Sequence, residues 1–145
     1  MTQSLPQSIE SERIVLGAAM LTGGDALAEC QHLGLRAEDF FREAHQRLYT
    51  HFLWRRRQRR LIEMVAVIED LAQQPPHTIH QLGGLSYISQ LADDVPSTEN
   101  VAHYARILIE RAARRRIIDH CTGLAQRARF GDVDLSVVLP GFLDK

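Results

Sequence analysis

One stretch constrains this chain more than any other: PSTENVAHYARILIERAARRRIIDHCTGLAQRARF, from Pro96 to Phe130. Pro96-Ser97 is a helix-start signal. Val101, Tyr104, Ala105, Leu108, Ala112, Ile118, Cys121, Leu124, Ala125 and Ala128 then recur along one stripe at helical spacing. A helix of that extent is about 30 residues and about 45 Å long, at a rise of about 1.5 Å per residue. In a chain of 145 residues it outruns any core the remainder can build, and an arm of that kind packs on something else.

The rest of the chain reads as shorter helices. Ser8 can cap a helix whose first turn holds Glu10 and Glu12, both favourable at the positive end of the dipole, and Thr22 to Gly24 stop it. A second runs from Asp25 to about Leu33, with Gly34 as a left-handed cap. RAEDFFREAHQRLYTHFLWRRRQRR starts at an acidic turn and carries Phe40, Phe41, Ala44, Leu48, Phe52 and Leu53 at helical spacing. Another helix covers about Glu63 to Gln73 and is broken by QQPPHT. Gly83-Gly84 then precede a short helix through Tyr87, Ile88 and Leu91. EMVAVIED is apolar enough for a strand, but its place between helices favours a helix. The fold class is all-α: a small helical bundle over residues 1–95 followed by a long projecting helix within residues 96–145, as parts of one domain. Leu16, Phe40, Leu48, Phe52, Tyr87 and Leu91 are the expected core.

Composition and motifs exclude several classes of function. A net charge of −1 gives no global attraction to nucleic acid. Cys30 and Cys121 stand far apart with no C-x-x-C, as in reduced thiols of a cytoplasmic protein. No run approaches the length of a membrane span, and MTQSLPQSIESE lacks the regions of a signal peptide, so a soluble cytoplasmic chain is expected. Gly83-Gly84 are followed by Leu85, Ser86 and Tyr87, without the lysine and hydroxyl of a phosphate loop; a turn into a helix explains them better. The seven histidines form no H-E-x-x-H and no cysteine sits at ligand spacing, so no metal is expected. Asp93-Asp94 and Glu38-Asp39 stand at helix ends, where capping accounts for them. No catalytic residue and no cofactor are assigned.

The basic run WRRRQRR is the remaining candidate. Arg55, Arg56, Arg57, Arg59 and Arg60 are the possible nucleic-acid contacts, and a small nucleic-acid-binding module is the alternative reading of the chain. On a helix they fan around most of the circumference and form no single stripe. A solvated helix end, with positive charge at the negative end of the dipole, explains them as well. Direct nucleic-acid binding is therefore not expected.

Four segments carry a resemblance. LPQSIESERIVLGAAML has Glu10, Glu12 and the Val15-Leu16-Gly17 triplet, and EDFFREAHQRLY has Asp39, Phe40, Phe41 and His45. RRLIEMVAVIEDL follows more loosely. LGGLSYISQLADDVPSTENVAHYARILIERAARRRII matches best, with Gly83, Gly84, Tyr87, Leu91, Pro96, Ser97, Asn100, Tyr104, Ala105, Arg111 and Arg115. Together, over about residues 5–130, they resemble the N-terminal domain of the DnaB-type replicative DNA helicases.

The resemblance implies a helical bundle followed by a helical hairpin that pairs into dimers and a trimer of dimers. It also implies a platform for primase and helicase loader, with the ATPase motor in a separate C-terminal domain. This chain is accordingly expected to be a non-catalytic interaction scaffold of DNA replication, a homodimer or higher oligomer. Its expected partners are itself, a replicative helicase, primase or a helicase loader. Tyr104, Leu108, Arg111, Arg115, Ile118 and Leu124 are the expected interface residues. One departure is expected to matter. In GDVDLSVVLPGFLDK, Pro140 leaves room for at most two turns, about Asp134 to Leu139, so the second hairpin arm is stunted or absent. The chain is either a fragment of a helicase or a stand-alone paralogue, and the Pro-Gly ending favours the latter.

Overall fold

The computed structural model describes residues 4–143. The helices are α1 (Ile9–Leu21), α2 (Asp25–His32), α3 (Glu43–Arg57), α4 (Met64–Ala72), α5 (Pro76–Gln81), α6 (Leu85–Asp93), α7 (Val101–Arg129) and α8 (Leu135–Leu143), with a 3-10 turn at Ala37–Asp39. There is no strand among the described residues, only an isolated bridge between Gly23 and Ile62. The fold is all-α, as the helical periodicity requires. The chain divides into two compact units within α7, one up to Ala113 and one from Arg114. Pro96 marks the approach to a helix, whereas the division falls about three turns into it.

The first unit is built around α1. Ser8 caps α1 by accepting from the Ser11 N–H at 3.4 Å, and nine of its residues, from Ser11 to Met20, are buried. A helix surrounded on most sides needs little polar surface, which is why α1 is apolar through IVLGAAM. Its crossing with α6 is close: a Cβ built on Gly17 would fall 2.1 Å from the Leu91 carbonyl oxygen and 2.4 Å from Val95 Cγ2. Leu16, Phe40, Leu48, Phe52 and Leu91 are fully buried in one cluster with Tyr49, Ile88, Val101, Ala105 and Leu108. Each of the larger aliphatic and phenylalanine side chains contributes about 1.5–3 kcal/mol by leaving water. Tyr87, expected in the core, is only partly buried and packs against this cluster from its edge.

Three local expectations are corrected. α3 does not start at the acidic turn before Phe40. Asp39 turns back to accept from the Arg36 N–H at 2.9 Å, and Phe40 and Arg42 are extended, so Phe40 enters the core from outside a helix. QQPPHT breaks one helix and starts another, since Pro76 stands at the first position of α5, where its missing N–H costs nothing. α8 runs through Pro140 rather than stopping before it. Asp134 holds its start, accepting from the Ser136 N–H at 3.0 Å and the Ser136 hydroxyl at 2.6 Å, and the proline removes one internal bond without ending the helix. The second arm is thus nine residues long.

The second unit, Arg114–Arg129 of α7 with α8, is of a different kind. Among its described residues up to Gly141, no side chain is buried.

Candidate protein-interaction surface

The apolar stripe of α7 meets two fates. In the first unit Val101, Ala105, Leu108 and Ala112 are buried against the bundle. In the second unit the same periodicity continues, and among the described residues it buries no side chain. Ile117, Ile118, Phe130, Leu135, Val137 and Leu139 are exposed, Phe130 to 83 % and Val137 to 73 %. Leu124 and Val138 are half-buried and face a shallow groove of about 440 Å³ shared with His120, Arg127 and Val133. Among the described residues of this unit, open apolar side chains thus stand over no buried core.

The residues expected at the interface fall in different places. Leu108 is 1 % exposed and belongs to the bundle core, so it is a packing residue and is unavailable to a partner. Tyr104 is half-buried at the core edge, its ring 5.2 Å from that of His103, and it lines a groove of about 350 Å³ with Ile9, Arg13 and Pro96. Arg111 is ion-paired with Glu110. Tyr104 and Arg111 are in the first unit; Arg115, Ile118 and Leu124 are in the second. Sequence reasoning missed Ile117, which is off the stripe, and the apolar residues of α8, discounted because of Pro140.

The arginine run also divides. Arg55 is 5 % exposed; its Nε donates to the Leu61 carbonyl at 2.9 Å and its guanidinium pairs with Asp70. It is a structural residue, buried where it cannot meet a phosphate backbone. Arg56, Arg57 and Arg59 are exposed, and Arg60 lies 5.5 Å over the Trp54 ring and 4.0 Å from Asp70. His51 stacks on Trp54 at 5.6 Å, with its Nε2 3.6 Å from Asp70 and buried without a hydrogen bond. Burial holds its pKa below the usual histidine value; the Arg55 charge acts in the same direction and Asp70 opposes.

A buried polar chain ties the bundle together. The Glu12 carboxylate lies 2.7 Å from His45 Nδ1 and accepts from the Phe41 N–H at 2.7 Å and the Arg42 N–H at 3.4 Å. His45 Nε2 is 2.7 Å from the Tyr87 hydroxyl. Glu12 thus does for α3 what a capping side chain would do. A carboxylate beside an imidazole is a familiar acid–base pair, but both side chains are 1 % exposed and sealed from any substrate. They join α1, α3 and α6. The sequence showed Glu12 as a helix-dipole acid and His45 as an isolated histidine, with nothing to connect them. Burial pushes the Cys30 thiol up to about 12, leaving it unreactive.

The model of the DnaB-like helicase N terminal domain matches residues 4–110, which takes in α1 to α6, the Glu12–His45 pair and α7 as far as Glu110. The chain belongs to this family. The match ends just short of the second unit. The replicative DNA helicase DnaB of Geobacillus stearothermophilus is 38 % identical over 134 residues, which are 92 % of this chain and 29 % of that protein. The replicative DNA helicase DnaC of Bacillus subtilis is 35 % identical over 121 residues, covering 83 % and 26 %. The chain therefore spans under a third of the curated relatives it matches. Among solved structures, the N-terminal domain of DnaB helicase from Mycobacterium tuberculosis superposes with a TM-score of 0.82 at 31 % identity, over 92 % of this chain and 94 % of that one. A DnaB-like replicative helicase, solved for its interactions with primase, superposes with a TM-score of 0.71 over 85 % of this chain and 28 % of that one. At 20 % identity it shares the fold. Among the described residues no helix is long and apolar enough to cross a membrane.

Proposed function

We propose that this DnaB N-terminal-type domain is a non-catalytic protein-interaction scaffold of DNA replication, associating through its second unit. One observation carries the reading: from Arg114 to Gly141 no described side chain is buried, while six large apolar residues stand open to water. The occupant that fits is the same segment of a second copy, because an apolar hairpin face is self-complementary in composition. Primase, a helicase loader and the N-terminal region of a replicative helicase are further partners that membership of the family supports. No phosphate-loop sequence is present, so no nucleotide chemistry is assigned.

The magnitudes favour a weak, reversible assembly. Finishing the burial of six such side chains on each copy releases on the order of 10 kcal/mol. Association costs about 4–15 kcal/mol in lost freedom. With the cost at the low end of that range about 6 kcal/mol remains, a dimer with a Kd of tens of micromolar.

Sedimentation over a concentration series reaching on the order of hundreds of micromolar tests it. Wild type should be dimeric or larger, and Ile118→Asp with Leu124→Asp should be monomeric with unchanged helix content, since each buries a charge in the seam. A wild type that stays monomeric and also fails to bind the N-terminal domain of a DnaB-type helicase would leave the second unit without a role.

A further inference from the structure

α3 ends in a two-bond cap. The Arg60 N–H donates to the Arg55 carbonyl at 2.9 Å and the Arg59 N–H to that of Arg56 at 3.0 Å. This motif puts the residue just past the helix in the left-handed region, where glycine is the ordinary occupant. α7 closes by the same pair of bonds, Asp132 to Arg127 and Gly131 to Ala128, and there the left-handed residue is Gly131. At the end of α3 it is Arg59, at φ 56°, the one non-glycine residue with positive φ among those described. An exposed arginine held in a conformation that glycine would adopt more easily points to a use outside the fold.

Its surroundings indicate what that use is. Arg56, Arg57 and Arg59 are exposed, with no carboxylate partner among the described residues. Asp70, which faces this end of the helix, is already paired with buried Arg55. The chain then continues into Leu61, 67 % exposed, and Val65, 56 % exposed. Along the chain, three exposed cations without a carboxylate partner are thus followed directly by two open apolar side chains, with the exposed Glu63 between them.

We propose that this end of α3 is a docking surface for an acidic polypeptide segment carrying an apolar residue. Its carboxylates pair with Arg56, Arg57 and Arg59, and the apolar residue sits on Leu61 and Val65. A nucleic acid fits the surface less well. The Trp54 ring on which a base would stack already has His51 at 5.6 Å and the Arg60 guanidinium at 5.5 Å. Leu61 and Val65 have no counterpart on a phosphate backbone, and a chain of net charge −1 exerts no long-range pull on one. This surface is in the first unit and does not depend on the association face of the second.

The test uses the full chain and fluorescence anisotropy with three probes. They are a labelled peptide rich in aspartate and glutamate with one leucine, the same peptide with its acids as amides, and a single-stranded oligonucleotide of equal charge. The acidic peptide should bind in the micromolar range and the amide peptide should not. Arg56→Gln with Arg57→Gln should weaken binding about tenfold or more. Arg59→Gly separates the proposal from a purely structural role: it should raise the thermal midpoint, with circular dichroism unchanged, while weakening peptide binding several-fold. Absence of acidic-peptide binding, an Arg59→Gly chain that binds as wild type does, or tighter binding of the oligonucleotide than of the acidic peptide would each overturn it.

Discussion

Gly17→Ala sets two physical effects against each other, and the sign of the result tells which governs. Gly17 is in the middle of α1. Local propensity alone predicts a gain, since alanine is favoured over glycine in a helix interior by about 1 kcal/mol. The crossing with α6 predicts a loss. The added methyl would lie 2.1 Å from the Leu91 carbonyl oxygen, 2.9 Å from the Leu91 carbonyl carbon and 2.4 Å from Val95 Cγ2. The valine methyl can rotate away, but the carbonyl belongs to helix backbone and cannot. Relief requires the helices to separate by about 1 Å, to normal van der Waals contact, and so to loosen the core cluster that both of them line. Overpacking of this kind costs about 1–3 kcal/mol, and contact with backbone belongs at the top of that range. The net expectation is a destabilisation of about 2 kcal/mol in urea denaturation, with the slope unchanged. A neutral or stabilised Gly17→Ala protein would refute the close crossing and the account of the core built on it.

Glu12→Ala should cost about 2–3 kcal/mol, because it leaves the buried His45 Nδ1 without its acceptor, at about 1–3 kcal/mol for such a group, and removes the bonds of the part-buried Phe41 and Arg42 N–H groups; a loss below about 1 kcal/mol would show that water replaces the carboxylate. For His51 the folded-state pKa is lowered from 6.5, so the unfolded chain binds its proton first on acidification. Its contribution to stability is therefore present above that value and declines as pH falls below it. Denaturation measured between about pH 7 and pH 5 should show this slope reduced in His51→Gln, and an unaltered slope would assign it to other groups. Arg59→Gly should stabilise by about 1 kcal/mol, the cost of a side chain in the left-handed region; a destabilised variant would mean that the arginine packs on the bundle.

The short-range features were legible because they are encoded within a few residues. Ser8 as the cap of α1, Gly34 as a left-handed stop, and the helical spacing through Leu48 and Phe52 or Ile88 and Leu91 all depend on neighbours one to four positions away. The family was legible for a related reason: its segments preserve those local choices in a fixed order.

What the sequence left open depends on groups brought together from a distance. Glu12 meets His45 across 33 positions, and His45 meets Tyr87 across 42. Nothing in the spacing of a carboxylate, an imidazole and a phenol that far apart signals that they form one chain, or that the carboxylate stands in for the missing cap of α3. Arg55 read as one of five solvated cations until Asp70 and the Leu61 carbonyl closed on it. Pro140 read as a stop, yet the helix that Asp134 starts runs through it. The α7 stripe shows the limit most plainly. Leu108 and Leu124 are equivalent by periodicity, yet one is sealed in the bundle and the other belongs to a unit with no buried side chain among its described residues. Periodicity determines which face of a helix is apolar. Only the tertiary structure determines whether the protein itself covers that face, because coverage depends on where the neighbouring helices end.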